Sequence, residues 1–447
     1  MKLLFVSLGC DKNLVDTEVM LGILNQRAFE ITDDETEADV IIINTCCFIH
    51  DAKEESIQTI LEMAEYKQEK GGKCRALLVT GCLAQRYADE IQTEIPEVDA
   101  IVGTTAYDKI ADALESVLAG KDGNYIASIE ALPLVDTKRV VTTGGYYAYL
   151  KIAEGCDKHC TYCIIPKLRG HFRSVPMERL KKEAAQLVGN GAKELILVAQ
   201  ETTLYGMDIY GEKTLPKLLR ELCKIEGLYW IRILYCYPEE INEELIQTIK
   251  EENKICNYLD MPIQHASDAV LKRMGRHTDK KQLMDIIGKL REEIPDICLR
   301  TTLITGFPGE TEKDHQELLD FVDEIEFERL GVFTYSQEED TSAAKMPDQI
   351  EEELKQARQA ELMELQQEIS FAHAEDMVGR ELYAFIEGKV ADEDAYAART
   401  YMDAPGVDGM LFIQTERELI SGDMVKVKVT GAYEYDLIGE LCDESAK

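Results

Sequence analysis

The sequence predicts an α/β protein in three parts: an N-terminal parallel α/β domain, a central partial (β/α)6 barrel and a small C-terminal antiparallel β-barrel. Three observations point to it. Short apolar runs alternate with helix-period segments up to residue 120, and the alternation restarts at Tyr146. Strands alternating with helices imply parallel sheets. From residue 375 onward, short alternating segments are divided by glycine and aspartate turns, the pattern of a small barrel. With 447 residues, the chain has room for about three domains.

In residues 1–120, KLLFVSLG reads as a buried strand and Leu14 to Arg27 as an amphipathic helix. VIIIN (40–44), ALLVT (76–80) and AIVG (100–103) are further strands, and helical patterns cover Ala52 to Lys70 and IADALESVLAG. A cysteine follows each of the first three strands: Cys10 in SLGC, Cys46 in NTCC and Cys82 in TGC. Parallel strands place their carboxyl ends on one edge, where ligands bind in open α/β sheets. Three cysteines far apart in sequence are therefore expected to converge. Residues 121–145, with Pro133 and paired Gly144 and Gly145, read as a linker.

Residues 146–340 hold six strand patterns: AYLKIAEG, Glu194 to Gln200, Trp230 to Cys236, Tyr258 to Gln264, Leu299 to Phe307 and Arg329 to Ser336. Helical patterns fill the gaps at 177–188, 215–223, 239–251, 280–293 and 312–326. Six such units suggest an open barrel with its chemistry at the strands' carboxyl ends. A charged helix within 341–374 leads to residues 375–447, where ELYAFIEGKV, AYAARTYM, GMLFIQT and DMVKVKVTGAY read as strands.

The chain carries 85 acidic and 49 basic side chains, a net charge of −36. A nucleic-acid binder usually shows a basic footprint, so this balance argues against that partner class. It suits a basic protein partner, whose encounter it speeds. No apolar run approaches a membrane span. The apolar start, Leu3 to Leu8, is too short for a signal peptide, and a cytoplasmic location is expected. In a reducing compartment, 13 cysteines argue for metal binding, catalysis or core packing rather than disulfides.

EGCDKHCTYCIIP (154–166) follows the first barrel strand and holds Cys156, Cys160 and Cys163 in a C-x3-C-x2-C spacing. A structural zinc site closes with four ligands. His159 and His171 are the candidates for a fourth, but C-x2-H-C-x2-C is crowded for one tetrahedral ion. Plain core cysteines are a further reading. A cubane with three thiolates and one open iron fits best, because an open iron can bind a substrate. Tyr162 sits where it can shield such a cluster from water.

With C-x3-C-x2-C after the first strand of a partial β/α barrel, the chain resembles the radical S-adenosylmethionine superfamily. Cys10, Cys46 and Cys82 resemble the auxiliary-cluster ligands of its methylthiotransferases, which carry an N-terminal α/β domain and an OB-like TRAM barrel. SLGCDKNLVDTE, NTCCFIHDAKEESI, TGCLAQRY, AEGCDKHCTYCIIP and ARTYMDAPGVDG are similar to the RimO branch. That family's pattern, NTC-x-F-I, makes Cys46 the ligand and puts Cys47 in the variable place.

The resemblance implies two 4Fe-4S clusters, a radical cluster on Cys156, Cys160 and Cys163 and an auxiliary one on Cys10, Cys46 and Cys82. It implies S-adenosylmethionine as cosubstrate, cleaved at the first cluster to a radical that abstracts hydrogen. The implied reaction is methylthiolation of the β-carbon of an aspartate in small-subunit ribosomal protein S-twelve. A tRNA methylthiotransferase with the same chemistry is the alternative, and an iron–sulfur electron carrier is a reading from another class. An electron donor such as a flavodoxin or ferredoxin, and a sulfur donor, are implied partners. Gln200 and Thr203 in AQETTLYG occupy the place expected to hold the cosubstrate's methionine end. TGFPGET (305–311) holds glycines that admit an adenine or simply form turns. His265 reads as a structural hydrogen-bonding group before a substrate group. Cys74, Cys223, Cys236, Cys256, Cys298 and Cys442 lack ligand spacing and read as core residues.

Overall fold

Unbroken apolar runs such as VIIIN suit strands covered on both faces, and they build parallel sheets here. The computed structural model describes residues 1–27, 29–133 and 138–442. The chain divides into two compact units. The first comprises 1–142, 153–173 and 336–344, and the second comprises 143–152, 174–335 and 345–447.

In the first unit, β1 (Lys2–Ser7), β2 (Glu30–Ile31), β3 (Val40–Thr45), β4 (Ala76–Gly81) and β5 (Ala100–Val102) form one parallel sheet in the order β2-β1-β3-β4-β5. Every residue of β3 and β4 is buried. One face packs Ile41, Ile43, Leu77 and Val79 against Ile60 and Ile91, the other Val40, Ile42 and Leu78 against Met20, Leu24 and Ile110.

The short strands β7 (Ala153–Glu154) and β8 (Arg173–Ser174) flank the second cysteine loop and follow β6 (Tyr147–Lys151). The second unit holds β6, β9 (Glu194–Val198), β10 (Trp230–Ile233), β11 (Ile255–Asp260), β12 (Cys298–Thr305) and β13 (Arg329–Thr334). They form an all-parallel six-stranded sheet in the order β13-β12-β11-β10-β9-β6. Local caps start its helices. Asn242 accepts from the Leu245 amide, Asp279 from that of Gln282, and Thr311 forms a capping box with Asp314. Several expected boundaries move: the helix expected over Ala52 to Lys70 is His50–Ala64 followed by a separate turn at Gln68–Lys70, and the strands expected to end at Gln200 and Cys236 end at Val198 and Ile233. Two further shifts have plain local reasons. The helix expected from 239 starts at Glu243, because Asn242 caps it. The strand expected over 258–264 runs from Ile255 to Asp260, because Pro262 has no amide to extend the ladder.

The C-terminal barrel is closed by β14 (Glu381–Lys389), β15 (Ala395–Thr400), β16 (Leu411–Gln414), β17 (Met424–Ala432) and β18 (Leu437–Leu441), in the order β14-β15-β16-β18-β17. The strand β18 has no counterpart among the segments read from sequence. It closes the barrel through a parallel pairing with β16, so the barrel is not antiparallel throughout.

This barrel docks on the amino-terminal ends of the parallel strands. Glu194, the first residue of β9, binds Arg232 at 2.9 Å and Arg399 of β15, and all three are buried. Arg232 also donates to the Tyr401 carbonyl at 2.6 Å, and Arg329 pairs with Asp403. Arg300 and the Tyr258 hydroxyl both reach Asp408. ARTYMDAPGVDG is thus the docking segment of the small barrel. Burial pushes the Glu194 carboxyl up, but Arg399 and then Arg232 outweigh it and hold it below its usual range. Glu194→Gln leaves two buried guanidiniums under-compensated and is expected to cost about 3–5 kcal/mol of stability at neutral pH. A depressed carboxyl stabilises the fold above its unfolded pKa, about 4.3, and loses that contribution as pH falls through its lower folded value. Denaturant titrations of both proteins from pH 7 to pH 3 should show a gap that is constant at first and closes below about pH 4.

Candidate metal centre

Three neighbouring strands of the first unit end beside one another, and cysteines stand just past those ends. Cys10 is the extended N-cap of the helix Asp11–Asn25, Cys46 follows Thr45, and Cys82 opens the short helix Cys82–Arg86. Gly9 permits the approach. Its φ is +86°, and a Cβ there would stand 2.6 Å from the Cys46 Cβ and 3.0 Å from its sulfur. Asn13 then fastens the segments. Its Nδ2 donates to the carbonyls of Leu8 at 3.2 Å and Thr45 at 3.0 Å, and its Oδ1 lies 3.9 Å from the Cys82 sulfur.

Cys46 and Cys47 part company. Burial pushes the Cys46 thiol up to about 12, with the Cys82 and Cys10 sulfurs adding to the effect. Cys47 is wholly buried and packs in the core with Ile41, Ile60 and Leu77. Burial also raises the Cys82 thiol. Thiols held protonated in this way must release protons when they take metal. Among the described residues, no three His, Cys, Asp or Glu side chains are grouped to hold one metal ion. A cubane bound at three corners asks for wider sulfur spacing than a single tetrahedral ion does.

The second cysteine set also belongs to the first unit. Gly155, with φ +79°, lies so close to the chain that a Cβ would meet the His171 carbonyl at 2.1 Å. The Cys156 amide donates to the Gly170 carbonyl at 3.2 Å, and the Cys163 amide to that of Cys160 at 3.0 Å. Burial raises the Cys163 thiol, with the Cys160 and Cys156 sulfurs adding to it. The segment 336–344 ties down this loop, through the Ala343 amide to the Thr161 carbonyl and Lys167 Nζ to the Asp340 carbonyl. His171 is exposed and engaged with Asp157 at 2.7 Å, and His159 takes a left-handed φ of 52°. Tyr162 is half-buried.

Arg169, unremarked in the sequence, connects the two sets. It ends the short helix Ile165–Arg169 that follows Cys163, and its side chain is 2% exposed. Nη1 donates to Asp16 at 2.8 Å and Glu154 at 3.3 Å, and Nη2 to Asn13 at 2.5 Å and the Cys82 sulfur at 3.6 Å. No spacing rule pairs it with Asp16, 153 residues away.

In the second unit, Gln200 is half-buried and Thr203 buried, just past β9. Both the amide and the hydroxyl of Thr203 donate to Glu201, a wholly buried carboxylate that the sequence reading passed over. Its only sequence signal is an acidic residue just past an apolar strand. His265 accepts from the amides of Ala266 and Ser267 through Nδ1, and its Nε2 lies 3.7 Å from the buried Glu310 carboxyl. Gly306 and Gly309 take positive φ values in tight turns. Of the remaining cysteines, Cys74, Cys236, Cys256 and Cys298 are buried and Cys223 and Cys442 are half-buried.

Comparison with known proteins bears on this arrangement. Residues 2–103 match the Uncharacterized protein family UPF0004, residues 150–322 the Radical SAM superfamily and residues 378–442 the TRAM domain. The chain is 64% identical to the ribosomal protein uS12 methylthiotransferase RimO of Lachnoclostridium phytofermentans, over 98% of this chain and 99% of that one. The chain belongs to the RimO family. Other RimO relatives include those of Clostridium kluyveri, 48% identical over 100% of this chain and 99% of that one, and Acetivibrio thermocellus, 50% identical over 99% and 98%. The fold is also similar to the radical S-adenosylmethionine methyltransferase TsrM of Kitasatospora setae, solved with cobalamin and a 4Fe-4S cluster. The TM-score is 0.53 at 13% identity, covering 74% of this chain and 72% of that one.

For a RimO-family chain, Gly9 is a sensitive position. Gly9→Ala adds a methyl where the Cys46 side chain stands and imposes a left-handed backbone cost of about 1–2 kcal/mol on alanine. Iron bound after anaerobic reconstitution is expected to fall by about one cubane, with the circular dichroism spectrum unchanged.

Proposed function

We propose that the chain methylthiolates the β-carbon of an aspartate in ribosomal protein uS12. Cys156, Cys160 and Cys163 would hold one 4Fe-4S cluster and Cys10, Cys46 and Cys82 the other. The observation that carries the reading is the meeting of Cys10, Cys46 and Cys82 at one sheet edge, in a chain aligned end to end with RimO relatives. When bound, the clusters and S-adenosylmethionine supply a hydrogen-abstracting radical and the methylthio group. The chain's own part is to position and exclude water. Gly9 and Asn13 set the first cysteine edge, and the 336–344 segment holds the second loop. Gln200, Thr203 and Glu201, and Tyr162 for the cluster's shielding, are the candidate cofactor-contacting residues. The Glu201 carboxyl, held by the Thr203 amide and hydroxyl, offers oxygen acceptors to an ammonium group. A one-electron donor of the flavodoxin or ferredoxin kind and an external sulfur donor complete the balance of atoms and electrons.

Charge supports a protein substrate over tRNA. Residues 375–447 carry 17 acidic and 7 basic side chains. Lys389, Arg399, Lys426 and Lys428 are the cations that a basic stripe would need. Arg399 is buried on Glu194, Lys426 pairs with Glu381, and Lys389 lies 3.7 Å from Asp394. Phosphate contacts dominate RNA affinity, and three of these four cations are already engaged with carboxylates.

Anaerobic reconstitution followed by mass spectrometry of a uS12 peptide tests the reading directly. Cys160→Ala should abolish 5′-deoxyadenosine formation. Cys82→Ala and Cys46→Ala should keep cosubstrate cleavage but yield no methylthiolated peptide, whereas Cys47→Ala should still yield it. Normal product from Cys82→Ala would overturn the assignment of the first site, and a protein whose clusters take up and release electrons but never cleave the cosubstrate would be an electron carrier. Binding of uS12 to the full chain should weaken with added salt as the Debye length shrinks, from about 10 Å at 0.1 M to about 3 Å at 1 M. Micromolar tRNA binding at physiological salt without uS12 binding would favour the tRNA branch.

A further inference from the structure

We propose that Arg169 is a positioning residue for the N-terminal cysteine site, donating a charged hydrogen bond to the Cys82 sulfur and so tuning the potential of the cluster held there. The proposal rests on the reading that Cys82 ligates iron. A guanidinium has five N–H donors in a fixed fork. Here one prong takes Asp16 and Glu154, and the other takes Asn13 and the Cys82 sulfur. These partners come from the helix Asp11–Asn25, from β7 and from the helix Cys82–Arg86, so the group is held from three sides. Asn13 is also the side chain that joins the Leu8 and Thr45 carbonyls, so displacing Arg169 disturbs the clamp of the whole site.

The chemistry follows from position. Hydrogen bonds to cluster sulfurs and nearby positive charge favour the more negative, reduced cluster and raise its potential. Asp16 and Glu154 oppose that effect, and their bonds fix the guanidinium's orientation. A merely structural ion pair would affect stability and iron retention. A donor to a ligand sulfur also affects the potential of a fully loaded cluster.

The test uses the full chain with Cys156, Cys160 and Cys163 replaced by alanine, so that only the N-terminal site takes iron. With Arg169 intact, this protein should bind about four irons per chain. If it binds none, the ligand assignment fails, and this proposal with it. In the loaded protein, Arg169→Gln is expected to disfavour reduction about tenfold, about 59 mV for a one-electron couple, in an electron paramagnetic resonance titration. Arg169→Lys, which keeps the charge, should recover part of that shift. An unchanged midpoint in a fully loaded Arg169→Gln protein overturns the proposal. The same Arg169-intact protein, labelled with nitrogen-15 arginine, should show nitrogen hyperfine coupling to the reduced cluster in pulsed resonance. Absence of that coupling overturns the proposal even where Arg169→Gln fails to hold iron.

Discussion

A parallel sheet ends its strands on one edge, and the first unit depends on that constraint. Residues 10, 46 and 82 share no local segment, yet β1, β3 and β4 are neighbours in register and deliver them to one place. The ladder sets the approach only coarsely. Gly9 removes the side chain that would keep two of the segments apart, and Asn13 replaces lost backbone pairing with hydrogen bonds from one amide. A sheet edge without such fittings would gather three thiols but not hold them.

The second constraint is the cost of burying charge. Both units contain guanidiniums removed from water, and each is met by several acceptors. Arg169 has two carboxylates, an amide oxygen and a sulfur. Arg399 and Arg232 share Glu194 and also reach backbone carbonyls of the small barrel. An unmet buried charge would cost several kcal/mol, so these networks tolerate few arrangements. They therefore fix geometry more than they add stability. In the second unit that geometry keeps the small barrel on the amino-terminal edge, leaving the carboxyl ends of the strands to other uses.

These two constraints explain what was legible in the sequence. Apolar runs and helix periodicity mark the sheets, because burial on both faces leaves a direct imprint on composition. Cysteines after strands mark the edge where three thiols meet, because topology turns chain position into spatial position. Arg169 and Glu194 leave no such imprint, since an ion pair between distant residues has no period and no spacing. Strand β18 escaped for a related reason. LIGEL is short and holds Gly439, where a Cβ would stand only 2.4 Å from the Val427 side chain, so its pairing is specified by close approach and not by side-chain alternation. Glu201 escaped because an acidic residue beside a strand end is ordinarily a solvated one, and only the structure shows it buried.

Where the cations lie gives the strong acidity its meaning. Arg169, Arg232, Arg358 and Arg399 are all buried, each beside a carboxylate. Each is therefore unavailable to a phosphate backbone, and the partnered lysines of the small barrel are little better placed. Net charge alone would permit a hidden basic stripe. In the small barrel, burial on Glu194 withdraws Arg399 from any such stripe. A partner that approaches this chain meets carboxylates, and the partner that gains from them is one that brings its own positive charge. That attraction acts through water and weakens with salt, whereas the buried pairs that shape the site are screened far less. Association and site geometry thus rest on the same kind of charge pair in two different dielectrics, and ionic strength separates them.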